Sequence, residues 1–156
     1  MSRTVELAES AFDPAALLAR FNAQLDGEGG VVSFTGYARG TAKDGQSVEA
    51  LVLETYRGMT LASMEQIAAD AHARFAITRS HVVHRAGTIL PGEAIVFVAA
   101  ASAHRRAAFE AADYMMDRLK TEAVFWKHEV KDGAKSWIEP TEADVEDASR
   151  WAAKQD

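Results

Sequence analysis

Residues 102–129 read SAHRRAAFEAADYMMDRLKTEAVFWKHE. Ser102 reads as a helix cap, the helix runs to about Lys120, and an apolar strand starts near Val124. This short span carries His104, Arg105, Arg106, Arg118, Lys120 and Lys127. His104 and Arg105 fall in the first turn, where free backbone N–H groups favour an anion. Cations there oppose the helix dipole, and a bound anion would reverse the penalty. A solvated first turn with its arginines facing water is the plainer reading of the same residues. Lys120 stands at the helix end, where the dipole prefers a cation. Lys127 follows the run Ala123-Val124-Phe125-Trp126, and a charged amine there is costly to bury without a partner or a task. In a strand it shares a face with Phe125 and Glu129, while Val124, Trp126 and His128 take the other. Lys127 either snorkels past Phe125, pairs with Glu129, or meets Lys120. In the last case the two amines disfavour each other's charge, which yields a neutral amine able to act as base or nucleophile.

Outward from this span the chain alternates helical and extended patterns. Asp13 and Pro14 open a helix over 14–25, with Leu17, Leu18, Phe21 and Leu25 on one side. Gly27 to Gly30 break it; no helix follows, so LDGEGG is a turn and not a phosphate loop. Val31 to Tyr37 and Val48 to Tyr56 read as strands around a polar, glycine-containing loop. Thr60 can cap a helix to about Phe75, with Met64, Ile67, Ala68 and Ala71 at helical spacing. Ser80 to Arg85 and Ala94 to Ala100 are strands around the turn Leu90-Pro91-Gly92-Glu93. Val124 to Val130 and Lys135 to Ile138 form a hairpin around Asp132-Gly133, and Thr141 with Asp144 starts a last acidic helix. The mixture lacks strict βαβ alternation, which predicts an α+β fold.

The totals narrow the function. A chain of 156 residues with 48% apolar and 26% charged content is expected to form one domain, 1–156, with a real core. No apolar run reaches the ~18 residues of a transmembrane helix, and the N-terminus lacks the apolar core of a signal peptide. A cytoplasmic protein is the expectation. The formal net charge is −6, with the acidic excess in the first 30 residues and in 139–156. The cationic cluster is local, which suits a small anionic substrate better than nucleic acid. There is no cysteine, so disulfides, thiolate metal sites and persulfide chemistry on this chain are excluded. His72, His81 and His84 show no metal spacing, His81 and His84 lying on opposite faces of a strand; no metal or cofactor is expected. Phe34-Thr35-Gly36-Tyr37-Ala38-Arg39-Gly40 offers glycines for close backbone approach and one arginine for a phosphate, a weak signal alone.

Several segments together resemble a known family: FTGYARG, LETYRGMT, VVHRAGTILPGE, the run AIVFVAAASAHRRAAFEAADYMMDRLKTEAVFWKHE, and Trp137-Ile138-Glu139. They are similar to the catalytic (large) subunit of molybdopterin synthase, in the same order, from about Val31 to Glu139; residues 1–30 and 140–156 add little. SAHR and LKT followed by FWK are the specific motifs. The resemblance implies an α/β hammerhead-like fold with an additional antiparallel β-sheet. It implies a sulfurtransferase that converts cyclic pyranopterin monophosphate (precursor Z) to molybdopterin in molybdenum cofactor biosynthesis. It further implies a homodimer at the centre of a heterotetramer, with a small ubiquitin-like sulfur-carrier subunit at each end. The carrier's Gly-Gly C-terminus bears a thiocarboxylate. By position the resemblance implies substrate contacts from Tyr37, Ala38, Arg39, His104, Arg105, Lys120, Lys127, His128 and Glu129. Lys120 and Lys127 are the catalytic pair; Arg39, His104 and Arg105 are expected to hold the phosphate. Tyr37 and His128 stand where many relatives carry a basic residue. The absence of cysteine agrees with sulfur arriving already activated on another protein. The alternative from another class is a non-catalytic binding module for a ubiquitin-like partner or a small phosphorylated ligand.

Overall fold

In the computed structural model, which describes residues 2–56 and 58–152, two four-stranded sheets organise the chain. The first has the order β1 (Ser2–Ala8), β4 (Ile77–Arg85), β6 (Ala94–Ser102), β2 (Gly30–Tyr37). β1 runs parallel to β4; the other pairs are antiparallel. The second sheet is antiparallel throughout, in the order β5 (Gly87–Ile89), β3 (Ala50–Thr55), β7 (Phe125–Lys131), β8 (Ala134–Ile138). The helices are α1 (Pro14–Ala23), α2 (Met59–Arg74), α3 (Arg105–Glu122) and α4 (Glu142–Ser149). This is the expected α+β arrangement with its added antiparallel sheet.

The sequence of β6, AIVFVAAAS, explains its place inside the first sheet. A strand covered on both faces reads as a continuous apolar run, and all but one of its residues are buried. On one face Val96, Val98 and Ala100 meet Met64, Ile67, Ala111, Met115 and Leu119 of α2 and α3. On the other, Phe97, Ala99 and Ala101 meet Leu17 and Phe21 of α1. Each fully buried Leu, Ile, Met or Phe contributes about 1.5–3 kcal/mol. Phe125, at the start of β7, packs both against the α2–α3 core and against the small cluster of Ala38, Leu53 and Ile89. It joins the two sheets.

The local signals largely hold. Asp13 caps α1, its Oδ1 accepting the Ala15 N–H at 2.9 Å, with Pro14 opening the helix. Asp132 (φ 49°) and Gly133 (φ 75°) make the tight turn between β7 and β8. Thr141 and Asp144 form a capping box on α4.

Two expected caps are corrected. Ser102 is the last residue of β6, and its hydroxyl donates to the His104 carbonyl; His104 is the N-cap of α3. Thr60 lies inside α2, whose cap is Gly58 at φ 80°. The Thr60 hydroxyl instead accepts the Tyr56 N–H at 2.9 Å and donates to the Val124 carbonyl. Ser63, one turn on, accepts the Val124 N–H at 3.2 Å. Both backbone groups of Val124, in the turn from α3 to β7, are thus tied to α2. β1 and β5 lie outside the strands expected from sequence.

Chain direction fixes where the site residues fall. β2 and β6 pair with Gly30 opposite Ser102 at one end and Tyr37 opposite Ala94 at the other. Only Ala103 and His104 separate β6 from α3, so the helix folds straight back over β6 and β2. Its start lies beside Gly30, and its end lies toward Tyr37. At about 1.5 Å per residue, α3 places Lys120 roughly 22 Å from Arg105.

Candidate active site

Lys120, in the last turn of α3, is exposed, and Lys127 projects from the inner face of β7. The α3–β7 turn, held by Thr60 and Ser63, brings them together. Lys127 has its Nζ 5.9 Å from the centroid of the Phe125 ring. Burial holds its amine below the ordinary lysine pKa, the charge of Lys120 adds to the effect, and Asp144 opposes it. The carboxylate acting on Lys127 is therefore that of Asp144, from the first turn of α4, rather than Glu129. For Asp144 itself burial favours the neutral acid. Hydrogen bonds from Thr141, with the charges of Lys120 and Lys43, outweigh it and keep its pKa below the usual range.

Behind the lysines lies His84, near the end of β4 and only 5% exposed. Its ring packs on Phe125 with centroids 4.4 Å apart and planes tilted by 32°. Nδ1 is 2.9 Å from the Arg85 carbonyl oxygen, which can only accept, so Nδ1 carries the proton. Burial pushes the imidazole down to about 4; the Arg85 hydrogen bond resists this, and the charges of Lys127 and Lys120 reinforce it. His84 is neutral at physiological pH.

Ala38 is buried in the cluster that Phe125 also touches, with its N–H on Glu93 O (2.9 Å) and its carbonyl accepting from Gly92 (2.8 Å). That pairing sets the backbone from which exposed Arg39 departs, at the lysine end of the sheet. Tyr37, also exposed, follows an irregularity in the β2–β6 register. Glu129 shares the inner face with Lys127, opposite Leu51 and Ser136. His128 takes the outer face, 2% exposed beneath Trp137, with ring centroids 5.0 Å apart.

His104 and Arg105 are exposed at the far end of α3. Gly29 and Gly30 let the start of β2 abut them. A Cβ on Gly29 would lie 2.4 Å from the Ala103 carbonyl oxygen, and one on Gly30 would lie 3.3 Å from Arg105 Cα. Within one chain the structure therefore groups Arg39, Lys120 and Lys127 at one end and His104 with Arg105 at the other. Two hollows lie apart from the lysine pair. One of about 820 Å³ is lined by Arg74, Tyr114 and Arg118 among others, and one of about 230 Å³ by Arg20, Arg79 and His81 among others. Arg118 is held by Asp70 and Glu122, and Arg79 by Glu28, so carboxylates already answer those cations.

Comparison with known proteins identifies the family. The MoaE protein family profile matches residues 7–122. The chain belongs to the MoaE family. The molybdopterin synthase catalytic subunit of Caulobacter vibrioides is 50% identical over 94% of this chain and 96% of its own length. The MoaE protein of Burkholderia ambifaria has a solved structure that superposes with a TM-score of 0.81 at 35% identity, covering 96% of this chain and 98% of that one. A chain from the Helicobacter pylori complex of molybdopterin-converting factor subunits 1 and 2 shares the fold at 17% identity (TM-score 0.73, covering 86% and 89%). This MoaE protein is an enzyme, a molybdopterin synthase sulfurtransferase, and not a passive binding module.

Sequence reasoning passed over two groups beside the lysines. His84 was weighed only for metal spacing, although its place within VVHR, on the side of buried Val82, marks it as a core histidine. Asp144 was read only as a helix cap.

Proposed function

We propose that Lys120 and Lys127 are the reacting centre of this molybdopterin synthase, and that one complete site draws on two copies of the chain. The enzyme converts precursor Z to molybdopterin with sulfur from a partner subunit. The proposed donor is a small ubiquitin-like carrier whose Gly-Gly tail ends in a thiocarboxylate. A tail of glycines can thread to the lysines because it has no side chains to clash. Each thiocarboxylate holds one sulfur and is left as a carboxylate once water takes the sulfur's place. A dithiolene therefore consumes two carrier tails.

The observation that carries the reading is the asymmetry of the lysine pair. Lys127 is shielded and held toward its neutral form, so it suits proton transfer to and from the reacting atoms. Lys120 is exposed in the last turn of α3, so it suits holding the tail's negative charge as sulfur attacks. Arg39 stands ready for the substrate phosphate at the same end. The ~22 Å along α3 keeps His104 and Arg105 away from the lysines of their own chain. A two-fold homodimer would let the His104–Arg105 pair of a second copy reach them and complete the anion site.

Turnover is tested by mixing the chain with the thiocarboxylated carrier and precursor, then measuring dithiolene product. Comparable product from inorganic sulfide with no carrier would overturn the donor assignment. The shared site is tested by co-refolding Lys120→Ala chains with Arg105→Ala chains. Random pairing gives half hybrid dimers, each with one intact site, so about a quarter of wild-type activity should return from two weak parents. Activity no higher than the average of the parents would refute the shared site.

A further inference from the structure

His84 has no task in the reaction as described, yet it is a buried titratable group on which the charges of both lysines act. It sits on the first sheet, opposite Leu7 of β1 and Val96 of β6. Phe125 sits on the second sheet. Their ring contact bridges the two sheets where the lysines emerge, and Lys127 Nζ lies over the same Phe125 ring. The Arg85 carbonyl holds the imidazole in one tautomer and stops it rotating. Phe125 is therefore fixed from behind by a ring that cannot turn, and Lys127 is measured from Phe125.

We propose that His84 is a positioning residue for sulfur transfer: stacked on Phe125 and anchored by the Arg85 carbonyl, it keeps the Lys127 amine in its shielded place beside Lys120. The inference rests on the proposed role of Lys127. The charges acting on that amine are those of Lys120 from α3 and Asp144 from α4, and the amine acts in turn on His84 of β4. An imidazole kept neutral adds no third cation, and its face packs on Phe125, the ring that the amine lies over. Loss of the stack would admit water to the amine and return it toward ordinary lysine behaviour.

The test uses the full-length protein. Trace acetylation across neutral to alkaline pH, resolved by mass spectrometry, gives the titration midpoint of Lys127, with exposed Lys135 of β8 as internal reference. His84→Asn keeps a donor for the Arg85 carbonyl but loses the stacked ring; His84→Phe keeps the ring. His84→Asn should raise the Lys127 midpoint by about one pH unit, and His84→Phe should leave it near wild type. Phe125→Leu, which removes the other half of the stack while keeping apolar volume, should match His84→Asn. Neutral-pH turnover should fall about tenfold wherever the midpoint rises by a unit, with the pH–rate profile displaced equally. An unchanged midpoint in both His84→Asn and Phe125→Leu would overturn the positioning role. A raised midpoint with unchanged turnover would leave His84's hold on the amine intact and sink the catalytic role of Lys127 instead.

Discussion

Thr60→Val gives the sharpest test of how the lysine pair is set. The substitution nearly preserves shape and removes one hydroxyl from a fully buried position. That hydroxyl serves the Tyr56 N–H at 2.9 Å and the Val124 carbonyl. Valine can serve neither. A stranded buried backbone group costs about 1–3 kcal/mol. Tyr56 is exposed and Val124 only part-buried, so both regain some bonding to water. The lower end applies to each, for a total of about 2 kcal/mol. In a chain of this length that lowers Tm by roughly 6 °C. The urea midpoint should fall with an unchanged slope, since the surface exposed on unfolding is the same. Thr60→Ser, which keeps the hydroxyl, should lose less than half as much. Sulfur transfer should drop further in Thr60→Val than in Thr60→Ser at temperatures where both are folded, because Val124 sits between Lys120 and Lys127. A loss below about 0.5 kcal/mol in Thr60→Val, or equal losses in the two variants, would refute the idea that this hydroxyl pins the turn.

Lys120→Ala should abolish sulfur transfer with Tm within about 2 °C of wild type, since the side chain is exposed at a helix end; near-normal turnover of the folded alanine variant would contradict this. Lys127→Met should stabilise the protein at neutral pH. Burial lowers the folded-state pKa of Lys127, so the wild type is penalised for its charge below that pKa. The penalty vanishes as pH rises to the unfolded lysine value, so the Met variant's advantage should shrink on that approach, as urea melts against pH would show. Arg39→Ala should weaken precursor binding by about tenfold in calorimetry, through loss of a charge-assisted contact.

The elements that announce themselves locally were legible: Asp13-Pro14, Asp132-Gly133, and Thr141 with Asp144 each set their own turn or cap within a few residues. β1 was not, because SRTVELA carries few apolar residues and its pairing partner, β4, lies seventy-seven positions away. Ser102 and Thr60 misled for one reason. A serine or threonine before a helical pattern looks like a cap, whereas here one hydroxyl serves a neighbouring carbonyl and the other a turn carbonyl sixty-four positions on. The site was legible as a set of residue types but not as a layout. Whether Arg39 and Arg105 can share a phosphate depends on the antiparallel run of β2 against β6 and on the length of α3. His84 was hidden because its meaning lies in Phe125, across the sheet boundary.

The alternation of β7 also equips the protein with an optical probe. Trp126 and Trp137 stand on the outer face of the second sheet, 55% and 59% exposed with ring centroids 6.0 Å apart, while Trp151 is 5% exposed near α2 and α3. These are the chain's three tryptophans. Iodide should quench the first two and spare the third. Because Trp126 adjoins Lys127 but points the opposite way, emission and quenching follow the outer surface while amine reactivity follows the inner one. A single sample can then tell whether a macromolecule covering the sheet and a small anion reaching the lysines arrive together or one after the other.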